Sequence, residues 1–389
     1  MIDSIYIAMS ALHGYEQGLR VISNDTANLN TPGFKNSVLQ FADASSSGDF
    51  GAARQYGYGL TTLGTRLNFQ QGQIKNTGNP LDLALDGDGL FVLRDSDGHV
   101  RYTRDGQFKF NDEGVLVSTT SGEEVMALDG SGSMARIDIG GLKASAAKAT
   151  QTVQFSGNLS STATTATVGS VVVIDAAGTS HTLSVKLDPV SGSPGTWTVT
   201  LLDGTTAVGT AEIAFLAGRP DPARAKATIT YQPSRQPDMP ITLDFSTNVT
   251  SYDSGSRSTV AMASQDGFAS GNLTGTSFDA NGVLQLQYSN NQTVTGPRLA
   301  LARFASQDAI APAGNNEYAA KDGRGWQTGV ASEAGFGAIR PESIETSNVD
   351  LSQEFSDLVI MQRGYQAASQ VISTANEMLG ELFAMRGSK

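Results

Sequence analysis

The sequence predicts a mainly β protein with terminal α-helices, in which coiled-coil-like helices at both ends flank a discontinuous β domain carrying a second, inserted β domain. Three observations lead there. Apolar residues recur every seven positions at both ends of the 389-residue chain, short alternating segments broken by Gly, Asn and Asp fill the middle, and two irregular passages interrupt that middle.

At the amino terminus, Ile5, Leu12 and Leu19 share one heptad position, and Ala8, Tyr15, Ile22 and Leu29 share the other. This a/d seam predicts a helix over 1–30 that pairs with another over 349–386. The helix leaves through "NDTANLNTPGFK", Asn24 to Lys35. Asn24, Asp25, Asn28 and Asn30 can hydrogen-bond backbone groups as the helix ends, Pro32 prevents it from resuming, and Gly33 permits the turn. Phe34 can anchor the following chain against a β domain, and Lys35 can pair with an acidic neighbour. Thr26 falls on the seam after Leu19 and weakens it, so either the helix frays first or the hydroxyl bonds back to its own turn.

Residues 31–70 read as an irregular connector, since "DASSSGDFGAARQYGYG" (Asp43 to Gly59) has Gly and Ser but little periodicity. Segments 71–146 and 271–340 are expected to form the discontinuous β domain, with hairpin signals such as "LFVLRDSDGHVRYT", "FKFNDEGVLVS" and "VLQLQYSNNQTV". The Ser/Thr/Ala-rich run from Lys143 to Ser170 and the stretch near Ser251 to Ser264 mark departure and return, which places the inserted outer β domain at 147–270. The last segment, 341–389, is a connector and a helix. In "SNVDLSQEF", Ser347, Asn348 or Asp350 can cap, with Gln353 and Glu354 in the first turn. Leu351, Leu358, Tyr365, Ile372 and Leu379 then step by seven, with Met361, Ala368, Ala375 and Leu382 between them.

Composition narrows the function. With 26 Lys+Arg against 38 Asp+Glu, the net charge of -12 argues against a nucleic-acid surface. Only 16% of residues are charged, while Gly, Ser, Thr and Asn are plentiful, which suits an extracellular β-rich protein. The absence of Cys removes disulfides, thiol catalysis and Cys-based metal sites together. The first twenty residues do not read as a cleavable signal peptide, and no run approaches the ~18 apolar residues of a membrane span, so membrane insertion is not expected.

Chemistry is sparse. The nucleophile elbow, phosphate loop, zinc-protease and dinucleotide fingerprints are all missing. His13, His99 and His181 have no spacing that suggests shared ligation. The run from Leu85 to Gly98 offers Asp86, Asp88, Asp95 and Asp97, but Leu90 stands where a third oxygen ligand belongs and no Glu closes the loop. Two turns at strand ends explain it better. No catalytic residue, metal or cofactor is expected.

The terminal seams have two readings. They could make an intramolecular helical hairpin, but Met9, Phe355, Val359, Val371 and Phe383 lie outside the seam, and packing against neighbouring copies would bury them. Gly364, inside the second helix, costs about 1 kcal/mol relative to Ala. It is either a tolerated surface position, or a point of close approach between packed helices or of compliance.

The motifs converge on a family. "ISNDTANLNTPGFK" resembles the amino-terminal signature of bacterial flagellar rod and hook axial proteins, and "ETSNVDLSQEFSDLVIMQRGYQAASQVISTANEML" resembles their carboxy-terminal signature. "NPLDLALDGDGLFVLRDSDGHVRYTRDGQFKFNDEGVLV" is similar to their shared β domain, and the inserted β segments resemble the hook members rather than the shorter rod members. Asp25 stands where the family commonly has a second Asn, and Thr26 where an aliphatic residue is common.

The resemblance implies a self-assembling homopolymer, a flexible tube acting as a universal joint that carries motor torque to the filament. Terminal helices would line its channel, and β domains would form its outer shells. It implies rod proteins, a hook cap, hook-filament junction proteins and the flagellar type III export apparatus as partners, and an extracellular place on the flagellum. A rod component is the alternative within the family; an exported β-rich binding protein is the alternative outside it. The assembly residues this points to are Ile5, Leu12, Tyr15, Leu19, Ile22, Asn24, Asn28, Pro32, Gly33 and Phe34 in the first segment. In the last they are Leu351, Leu358, Met361, Tyr365, Ile372, Leu379 and Leu382.

Overall fold

The computed structural model describes residues 2–44, 59–306, 309–321 and 326–387. Two helices flank a long succession of strands: α1 spans Ile2–Ala27 and α2 spans Leu351–Gly387. Their 26 and 37 residues correspond to roughly 39 and 55 Å. The chain folds into two compact units, one made of 1–140, 276–286 and 294–389, the other of 141–275 and 287–293.

In the first unit, α1 ends in a turn and the chain enters a hairpin of β1 (Ser37–Asp43) and β2 (Leu60–Leu67), paired antiparallel from Ser37↔Leu67 to Asp43↔Leu60 with a bulge after Gln40. The expected irregular connector at 31–70 therefore contains regular structure. Its periodicity is weak because one face is open to solvent, leaving Val38, Phe41 and Leu63 exposed. Of the Asp43–Gly59 stretch, residues 45–58 lie outside the described residues.

A ten-stranded sheet forms the body of this unit, with Leu90–Arg94 at its centre. That strand pairs antiparallel with Val100–Thr103 on one side and with Glu124–Leu128 on the other. Its four residues Leu90 to Leu93 are all buried, as expected of a strand covered on both faces, and Phe91 meets Phe108 edge-on at 5.2 Å. Tyr102 meets Phe304 edge-on at 5.0 Å within the same core. Two short pairings bring the late chain back to the early chain: Ala338–Pro341 pairs with Leu83–Asp86, and Ser343–Glu345 with Ile74–Asn76. They deliver the chain to the start of α2.

The second unit joins a five-stranded sheet to a four-stranded one around a single apolar core. Strand Thr196–Asp203 turns Trp197, Val199 and Leu201 inward, and strand Lys226–Tyr231 turns Ala227, Ile229 and Tyr231 inward. This period of two is what a half-buried strand requires. Phe155 stacks on Phe245 with ring centres 4.5 Å apart. The segment 147–270 lies wholly in this unit, which also takes 141–146, 271–275 and 287–293.

Candidate functional site: a helical hairpin and its buried anchor

The two helices pack along a stripe that small residues bring close. On α1, Ala8, Gly18 and Ile22 are buried, with Ala11 and Tyr15 half-buried between them. On α2, Ala368 and Ala375 are buried, and Leu358, Met361, Ile372 and Leu379 are half-buried. A Cβ at Gly18 would lie 2.9 Å from the Met361 sulfur, and one at Gly364 would lie 2.5 Å from Cζ of Tyr15. Gly364 is thus a point of close approach, where the Tyr15 ring occupies the space a side chain would need.

The structure divides the seam residues. Ile22 is buried, Tyr15 and Met361 lie against the facing helix at Gly364 and Gly18, and Ile5, Leu12, Leu19, Leu358, Ile372 and Leu379 are half-buried. Gly18, one residue before Leu19, is buried against Met361, whereas Leu19 is half-buried. Heptad counting favours the larger side chains, whereas close helix packing selects the smaller ones. Leu351, Tyr365 and Leu382 lie outside the packed stripe and are exposed, as are Phe355, Val359 and Phe383. Leu29 falls beyond the end of α1.

The exit of α1 uses its polar residues as the sequence suggests. Asn28 Nδ2 donates to the Asn24 carbonyl at 2.9 Å, and Thr31 Oγ1 donates to Asn28 Oδ1 at 3.0 Å. Thr26 does not fray the helix; its hydroxyl bonds back to the Ile22 carbonyl at 2.8 Å. Pro32 offers its carbonyl to Asn316 Nδ2 at 2.7 Å. Gly33 adopts φ +68°, and a Cβ there would lie 2.5 Å from the backbone of Arg104 and Asp105, so both conformation and space require glycine. Gly33 N donates to the Glu345 carbonyl at 2.8 Å, and the Phe34 carbonyl accepts from Asn348 N at 3.3 Å. The two ends of the chain meet here.

Lys35 then enters the β body and is buried. Its Nζ reaches Glu345 Oε1 at 2.6 Å and the Gln70 carbonyl at 2.6 Å, and neither the Lys35 nor the Glu345 side chain has exposed surface. Arg104 Nε reaches the other Glu345 oxygen at 2.5 Å, while its Nη2 donates to the carbonyls of Leu85 at 2.9 Å and Gly87 at 2.8 Å. Gly72 N adds a bond to Glu345 Oε1 at 2.7 Å. Burial pulls the Lys35 ammonium below its usual range, Glu345 opposes that, and Arg104 adds to it. Asn348 completes the anchor, accepting from Asn36 N at 2.8 Å and donating to the Asn68 carbonyl at 2.8 Å. Lys35 has the expected acidic partner. Glu345 and Arg104 were not singled out from sequence, because 310 and 241 positions separate the bonded pairs and nothing local marks them.

Helix α2 starts on Asp350, whose Oδ1 accepts from Ser352 N at 2.8 Å and Gln353 N at 3.3 Å; of the three capping candidates, Asp350 is the one that caps.

The acidic run serves turns and ion pairs. Asp86 pairs with Arg340 at 2.8 Å. Asp95 Oδ1 accepts from the backbone of Asp97 and His99, closing the turn between two strands and drawing the three side chains together at the surface. In the second unit, His181 Nε2 lies 2.9 Å from Asp175, and the Tyr231 hydroxyl donates to Asp203 at 3.0 Å. Burial and then the Asp203 contact push the Tyr231 phenol up to about 12, so it remains a donor at neutral pH. This network ties one sheet of that unit to the other.

Comparison with known proteins follows the same architecture. Residues 340–385 match the model described as flagellar basal body rod FlgEFG protein C-terminal, and 84–173 match the flagellar hook protein FlgE/F/G D1 domain. The chain is similar to the flagellar hook protein FlgE of Escherichia coli, 31% identical with 97% of this chain and 99% of that protein covered. It is 29% identical to the Salmonella typhimurium protein of that name, covering 97% and 99%, and 27% identical to that of Borreliella burgdorferi, covering 99% and 100%. The crystal structure of the Helicobacter pylori flagellar hook protein FlgE2 shares the fold, with TM-score 0.53 and 14% identity over 70% of this chain and 100% of that one. A relative this similar over nearly its full length, with a fold to match, places the chain in the flagellar hook protein family.

Proposed function

We propose that this chain is the structural subunit of a bacterial flagellar hook, self-assembling into a flexible tube that transmits motor torque to the filament. The observation that carries this reading is the helical hairpin. Each helix buries one stripe against the other and leaves a second apolar face open, with Phe383 65% and Ile360 61% exposed. Such a face on so long a helix is best covered by neighbouring copies. Beneath it, the Lys35–Glu345–Arg104 anchor ties the chain leaving α1 and the chain entering α2 to one buried point of the β body, which favours a repeated placement of the helices in every subunit. A tube that resists twist requires that repetition, and β units with few charges can exchange weak contacts as it bends.

On this reading the partners are further copies, rod proteins, a cap and hook-filament junction proteins. The flagellar type III apparatus exports the subunit to an extracellular position. Among the described residues, no helix is long and apolar enough to cross a membrane.

Electron microscopy of the purified full chain under polymerising conditions tests it. Tubes are expected from the full chain and none from a chain lacking both terminal helices. A truncated protein that still forms tubes would overturn the reading.

A further inference from the structure

The seam between α1 and α2 holds a sulfur at its tightest point. Met361 on α2 lies across Gly18 of α1, where a Cβ would stand 2.9 Å from the sulfur, 3.4 Å from the terminal methyl and 3.4 Å from Cγ. Gly18 is buried and Met361 half-buried. The thioether is therefore packed on bare helix backbone while part of its side chain remains at the surface. Glycine lets the helices approach, and the unbranched, polarisable side chain fills the gap between them. One turn away the Tyr15 ring fills the space over Gly364, where a Cβ would lie 2.5 Å from Cζ, so the neighbouring contact is equally close.

The chain has nine Met and no Cys, so thioethers carry its sulfur chemistry. Met126 and Met239 are buried in the β units, whereas Met9, Met378 and Met385 on the helices are 43%, 54% and 78% exposed. An oxygen added to those three stays in water. One added to Met361 faces Gly18, which has no side chain to donate to it and whose N–H is taken up inside α1. A polar acceptor held there without a donor is costly, and the tight contact leaves no room for it.

We propose that Met361 is an oxidation site that opens the helical seam: hydrogen peroxide reaches its thioether from the surface side, and the sulfoxide formed pushes α1 away at Gly18. The sulfur lone pair attacks one peroxide oxygen, so the S–O bond forms as the O–O bond breaks. The departing hydroxide takes the proton from the transferred oxygen and leaves as water. Sulfur gives up two electrons and the peroxide accepts them, and the sulfoxide can be reduced back to the thioether. The site is a property of the single chain and does not rest on assembly.

Graded peroxide treatment of the full chain, kept dilute enough to stay monomeric, tests this when peptide mass spectrometry and amide hydrogen exchange are read together. Met9, Met378 and Met385 should oxidise first and leave exchange at Gly18 to Ile22 unchanged. Protection there should then fall about tenfold or more, in step with the Met361 sulfoxide. Met361→Leu, similar in size and apolar, should keep its protection through the same treatment. If that variant does not fold, the wild-type time course decides by itself. The proposal is overturned by a loss of protection that tracks the exposed methionines or persists in folded Met361→Leu. It is equally overturned if protection survives Met361 oxidation, or if Met361 stays reduced once the exposed three are fully converted.

Discussion

At the scale of single residues, the anchor is where the largest effects are expected. Glu345 pairs with two buried cations, and removing it leaves their charge uncompensated, at a cost of about 3–5 kcal/mol. Glu345→Gln should therefore shift the urea midpoint of the full chain markedly downward with little change in m-value. A midpoint within the error of wild type would show that the pair carries little. Gly33→Ala meets both a left-handed backbone and the Arg104 backbone, and should cost at least 1–3 kcal/mol by the same assay. Gly364→Ala is a subtler test. Helix propensity alone would add about 1 kcal/mol of stability, so a loss, relieved when Tyr15 is also replaced by Ala, would show that the ring contact prevails.

At the scale of elements, α2 has two faces with separate roles. Its inner stripe of Met361, Ala368 and Ala375 belongs to the hairpin, whereas Val359 and Phe383 lie on open surface. Replacing Val359 and Phe383 together by Ser should leave monomer unfolding within about 0.5 kcal/mol per site yet raise the critical concentration for assembly at least tenfold, measured by sedimentation. Unchanged assembly would remove that face from the interface. The heptad pattern made both helices legible in the sequence. It could not say which apolar rows face the partner helix, because long apolar stripes on both sides of α2 satisfy a seven-residue step equally well. The hairpin of β1 and β2 was illegible for the opposite reason: half its face is solvent-exposed, so alternation is weak.

At the scale of the whole molecule, charge sets the conditions of assembly. A formal net charge of -12 makes copies repel, and salt screens that repulsion. Raising ionic strength from about 0.05 to 0.5 M should lower the critical concentration seen by light scattering, since the screening length falls to a few ångström over that range. The opposite trend would mean that ion pairs between copies dominate their contacts.

The terminal helices, the alternating β interior and the Pro32–Gly33 exit from α1 were determined by the sequence alone. Each is a local pattern whose period or backbone restriction acts within a few residues. Tertiary structure decided the rest. It alone carried Glu345 to Lys35 and Arg104, and set Tyr15 over Gly364. Those contacts join positions hundreds of residues apart, and burial, which gives a charge or a glycine its consequence, exists only once the chain is folded.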